Sequence, residues 1–159
     1  MSKVPPQVSV DDTISTRLRQ LSEAALDLNA ASDELSKPIA IWEATLKKLN
    51  LGVSAWAELS SSSTDENGYW WDRHVGYTRL NSRWRIALRA REGFQDETKT
   101  ETWQFNEAPR WMRIEAVGAF PELLEALVEQ ARDTAVKIRK KTLEAQEQVA
   151  ALGKQAGRS

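Results

Sequence analysis

The chain has no cysteine and a single histidine in 159 residues. Without thiols there can be no disulfide framework, no thiolate nucleophile and no cysteine-based zinc site. One histidine excludes a multi-histidine metal centre. Neither charge sign dominates: 22 Lys plus Arg stand against 23 Asp plus Glu, for a net charge of −1. Such a chain does not bind polyanions through bulk charge. No apolar run approaches the roughly 20 residues that a membrane-spanning helix needs. The glycine-rich phosphate loop, the G-x-S-x-G elbow and the H-E-x-x-H metal motif are all missing. These absences argue against an enzyme, and no cofactor or metal is expected.

Hydrophobic residues make up 41% and charged residues 28%, an ordinary globular balance. The N-terminus has two prolines and no apolar stretch after Lys3, unlike a secretory signal, which points to the cytoplasm. Residues 1–10 are expected as a flexible arm and 153–159 as a flexible tail, leaving 11–152 as a single domain.

Three blocks follow one another. In 11–50, Ile14, Leu18, Leu21, Ala25, Leu28, Leu35, Ile39, Trp42, Leu46 and Leu49 recur at alternating spacings of four and three, with Ser32 the one polar member. That narrow seam is the coiled-coil pattern. Asp11, Asp12 and Thr13 are expected to cap the helix, Asn50 to end it in a left-handed conformation. Pro38 lies inside the seam. It implies one bent helix, or two helices with Ser32 or Ser36 capping the second. The unbroken seam phase favours the former.

The second block, 51–107, changes to a period of two. Val53 to Leu59 alternate, Ser60 to Gly68 read as a polar loop, and Tyr69 to Leu80 as a strand. Asn81-Ser82 reads as a tight turn. Trp84, Ile86, Leu88 and Ala90 alternate with Arg83, Arg85, Ala87 and Arg89, the clearest half-buried strand in the chain. Glu92 to Glu97 form a turn, and Thr98 to Phe105 the last strand. Short connections imply a four-stranded antiparallel meander. The third block is a short helix at 109–118, where Trp111, Ile114 and Val117 recur at spacing three and which is expected to cover the apolar sheet face, then a long helix at 121–152 with an alanine-rich seam. The expected fold class is therefore α+β. The two long helices are expected to pair as an antiparallel, coiled-coil-like hairpin, with Trp42, Trp56, Trp84, Trp103 and Trp111 in the core.

One cluster suggests binding. Between Tyr69 and Arg91 lie six arginines opposed by Asp72 alone, interleaved with aromatics. The candidate face comprises Trp70, His74, Arg83, Arg85, Arg89 and Arg91. Arginines on one sheet face can contact phosphates, and exposed aromatics can stack on bases. The simpler reading is the wet face of an amphipathic strand, compensated by the acids of 92–107. Parity puts Trp71 inward with Val75 and Tyr77, and Trp70 with Asp72 and His74. His74 has no nucleophile beside it in sequence. A second candidate patch, Lys137, Arg139, Lys140 and Lys141, reads as a solvated helix face or an anionic contact. The leading functional expectation is a non-enzymatic interaction or scaffold protein, with an unknown protein partner or a second copy of itself. The alternatives are single-stranded nucleic-acid binding through the arginine face and a small-molecule carrier with a Trp-lined pocket. No membrane partner is expected.

Overall fold

The structure is a computed structural model that describes residues 3, 7, 9–64 and 66–158. Most of the flexible-arm expectation at 1–10 lies outside the described residues. The elements run α1 (Val10–Lys48), β1 (Ala55–Thr64), β2 (Tyr69–Leu80), β3 (Arg83–Phe94), β4 (Glu97–Gln104), a short 3-10 turn (Phe105–Glu107), α2 (Arg110–Val117) and α3 (Phe120–Ala156). The fold is α+β, with one four-stranded antiparallel sheet in the order β1-β2-β3-β4. The chain falls into two compact units, Met1–Ile41 and Trp42–Ser159.

Within the first unit, Ser9 caps α1, in place of Asp11, Asp12 or Thr13. Its hydroxyl accepts from the Asp12 amide at 3.1 Å. Asp11 and Asp12 sit in the first turn, where the helix dipole favours acids. α1 then continues through Pro38. Ser32 and Ser36 cap nothing: their hydroxyls donate back to the carbonyls of Leu28 and Asp33, at 2.9 and 2.6 Å, as serines inside a helix do. The seam changes along its length. Ile14, Leu18, Leu21 and Leu28 are 52, 57, 64 and 49% exposed, whereas Ile39 is buried. Farther along the helix, in the second unit, Leu46 is buried too. On α3 the later seam positions Ile138, Val149 and Leu152 are also exposed. The hairpin pairing expected of the two seams does not show in this burial.

In the second unit, α1 closes with Asn50 at φ +48°, the left-handed end its sequence suggests. Asn81 and Ser82 both have positive φ, the two-residue hairpin geometry that matches the twist of its strands. The serine run is not a loop. Ser60 to Ser63 belong to β1, after a bulge that leaves Leu59 without a register partner. β3 likewise runs on to Phe94, so the turn beyond it is Gln95-Asp96 alone. Phe105 lies past the last strand, in the 3-10 turn, and is buried. α3 extends to Ala156, into the segment expected as a tail.

One face of the sheet carries Val75, Tyr77, Ile86 and Leu88, all at most 2% exposed. The buried residues of α2 and α3 are Met112, Ala116, Phe120, Leu123 and Leu127. Phe120 is the hub, meeting Trp42 and Phe105 edge-on at 5.2 and 6.2 Å between centroids. The tryptophans are not the centre of this core. Trp42, Trp84 and Trp103 are half-buried at its margin, with Trp84 stacked on Tyr77. Trp56 lies on the opposite sheet face, and Trp111 is 49% exposed. Indoles are too large to be enclosed fully by so small a sheet, and aliphatic side chains fill the middle instead. α2 also buries the other stripe: Met112 and Ala116 go in, four residues apart, while Trp111, Ile114 and Val117 stay out.

Candidate functional site

The strand register places Trp70, Asp72 and His74 on one face, opposite Gly93, Arg91 and Arg89. Trp71, Val75 and Tyr77 take the other face, as parity requires. Trp70, His74, Arg85, Arg89 and Arg91 thus share the face opposite the aliphatic core. Arg83 has the same parity but sits at the exposed start of β3.

This face builds its own cover. Gly76, Ala87 and Gly93, its small residues, are buried. A Cβ at Gly76 would fall 2.3 Å from the Trp56 ring, and one at Gly93 only 2.2 Å from the Trp70 ring. Each indole therefore lies flat on a glycine in the neighbouring strand, a close approach that any side chain would block. Arg89 stacks over Trp56 at 4.1 Å from the centroid, and Arg91 lies 5.9 Å from that of Trp70. Arg91 also grips Asp72 with both ends of its fork, at 2.9 and 2.8 Å. That hydrogen bonding holds the Asp72 carboxyl below the usual carboxylate range, against the upward push of burial. Arg85 donates to Gln104 at 2.8 Å.

His74 is 12% exposed at its side chain. Burial lowers its pKa, and the nearby Asp72 only partly offsets this, which favours the neutral ring. Its Nδ1 lies 3.4 Å from Asp72 Oδ1. The carboxylate is already committed to Arg91, so the pair is not arranged as an acid–base dyad.

The basic helix patch is exposed on α3. Lys137, Arg139, Lys140 and Lys141 are all exposed, and Lys141 pairs with Glu144 at 2.8 Å. Among the described residues no cluster of three or more acidic or histidine side chains could hold a metal ion.

The core face carries a feature outside the candidate set. Beyond the aliphatic centre, Arg73 extends between two indoles, Trp71 of β2 and Trp111 of α2, at 4.3 Å from each centroid. It borders a cleft of about 350 Å³ lined by Tyr69, Trp71, Arg73, Ala90, Glu92, Lys99 and Glu101, with Asp72 and Arg91. The Tyr69 hydroxyl donates to Glu92 at 3.0 Å. A signal for Arg73 was present in the sequence: it shares parity with Trp71 and Val75, an arginine on the core face of a strand. The interior strand glycines 76 and 93 likewise marked where the indoles lie.

Comparison with protein families, with curated proteins and with solved structures finds no match. No helix among the described residues is long and apolar enough to cross a membrane.

Proposed function

We propose that the chain is a non-enzymatic assembly protein whose first helix zips onto that of a second copy. The observation that carries this reading is the uncovered seam: Ile14, Leu18, Leu21 and Leu28 recur at heptad spacing, each about half exposed or more. Covering one such side chain contributes on the order of 1.5–3 kcal/mol. The positions flanking the seam favour an identical partner. They are Ser15, Arg17, Ser22, Ala24, Asn29 and Ala31, and Arg17 alone is charged. Charges at these positions normally select a different helix or reject a like one. Here there is little to reject a second copy, and the small side chains allow close approach.

The arginine face supports a nucleic-acid reading less well. The Trp56 ring lies against Gly76 and has Arg89 4.1 Å from its centroid, so it is already engaged on both counts where a base would stack. Arg91 spends its fork on Asp72.

Sedimentation velocity at micromolar concentrations tests the proposal. The intact chain is expected to sediment as a dimer or larger. Leu18→Asp with Leu21→Asp should give a monomer whose sheet retains its near-UV circular dichroism. A wild-type monomer across that range would defeat the reading.

A further inference from the structure

The cleft beside Arg73 goes beyond assembly. Its lining charges are matched only in part. Asp72 holds Arg91, Tyr69 donates to Glu92, and Lys99 stands opposite Glu92 in the strand register. Three lining charges have no hydrogen-bond or ion-pair partner among the described residues: Arg73, Lys99 and Glu101. Of these, Arg73 and the exposed Glu101 occupy one row of the sheet: Arg73 is opposite Ala90, and Ala90 is opposite Glu101. Two strand spacings of about 4.8 Å put their backbones roughly 10 Å apart. The residue between them is an alanine, which leaves a hollow where a larger side chain would stand.

Arg73 is also unusually prepared. Its guanidinium carbon lies over both the Trp71 and the Trp111 ring, 4.3 Å from each centroid, and its N–H groups have no hydrogen-bond acceptor among the described residues. A fork of donors is the arrangement that recognises a carboxylate in two parallel hydrogen bonds. At the other end of the row, Glu101 offers a carboxylate to a cation.

We propose that this cleft binds a small organic zwitterion, with its carboxylate on the Arg73 edge, its ammonium on Glu101 and its short carbon chain over Ala90. The apolar walls come from Trp71 and Tyr69.

The test uses the intact chain and γ-aminobutyrate as probe, followed through the indole N–H resonances of Trp71 and Trp111. Butyrate and butylammonium serve as controls that carry one charge each. γ-Aminobutyrate should give saturable shifts of those two indoles, with each control about ten-fold weaker or more. Glu101→Gln, at an exposed position, should reduce γ-aminobutyrate to the level of butyrate. Arg73→Lys keeps the charge but loses the fork, and should weaken binding about ten-fold. No saturable shift would overturn the proposal. So would butyrate binding as tightly as the zwitterion, or unchanged affinity in Glu101→Gln. Should Arg73→Lys lose its folded circular dichroism, the Glu101→Gln comparison decides alone.

Discussion

Leu88, in the middle of the sheet, has no exposed surface at all, whereas Leu18 and Leu21 on α1 are 57 and 64% exposed. All three belong to regular apolar patterns, one of period two and one of heptad spacing. The difference is in what lies over them. Around its centre the sheet covers both of its faces. Aliphatic side chains bury one, and the other closes with two indoles on two glycines and arginines stacked above. The early part of α1 finishes nothing. Arginine density therefore proves a poor guide to a free surface here, because several of those arginines already have partners. The exposed leucines, which look like ordinary coiled-coil residues, are the side chains still without cover. That contrast is what supports the proposal that the helix mediates assembly.

The contrast can be broken most strongly from the aliphatic side. Leu88→Ala should destabilise the sheet unit by about 2–5 kcal/mol, measured as the loss in urea unfolding free energy. A cost near zero would mean that this face is not packed as described. On the opposite face, Gly76→Ala should cost about 1–3 kcal/mol, because the new methyl meets the Trp56 ring. The signature is coupling. Once Trp56→Ala has removed the ring, the same glycine change should be nearly neutral.

A smaller effect appears with acid. The His74 pKa is depressed by burial, so the unfolded chain binds a proton that the folded one refuses. Stability should therefore begin to fall as pH drops through the ordinary value of 6.5. Asp72 adds a lower limb. Its pKa is depressed by Arg91, so its contribution is complete above the ordinary value of 3.8 and is lost as pH falls through its folded pKa. Urea midpoints against pH should show His74→Gln flattening the upper limb and Asp72→Asn the lower one. An unchanged profile in His74→Gln would contradict the buried, neutral ring.

Much of this architecture is legible in the residues. The alternation from Trp84 to Ala90 marks β3, and Asn81-Ser82 marks its hairpin. The parity of Trp70 and Trp71 gives their faces correctly. The misreadings have physical causes. Serine composition suggested a loop at Ser60 to Ser63, but a bulge at Leu59 lets the strand continue through them. The spacing of Trp111, Ile114 and Val117 draws attention to one stripe of α2, and Trp111 is expected in the core but is 49% exposed. On a helix two stripes compete, and the one with Met112 and Ala116 lets α2 approach more closely. Arg73 shares the core-face parity of Trp71 and Val75. It is the one arginine of β2 held between rings from two different elements, and no local pattern announces a contact made across the fold.

The most direct test of the assembly account is hydrogen–deuterium exchange along α1 at two protein concentrations. An isolated helix with an uncovered seam is marginal in water, so its amides are protected only when something packs on them. The account predicts slow exchange around Leu18 to Leu28 in concentrated solution and fast exchange on dilution, while β3 stays protected throughout. Protection of Leu18 to Leu28 that is the same at both concentrations, in a chain that sediments as a monomer, would contradict it.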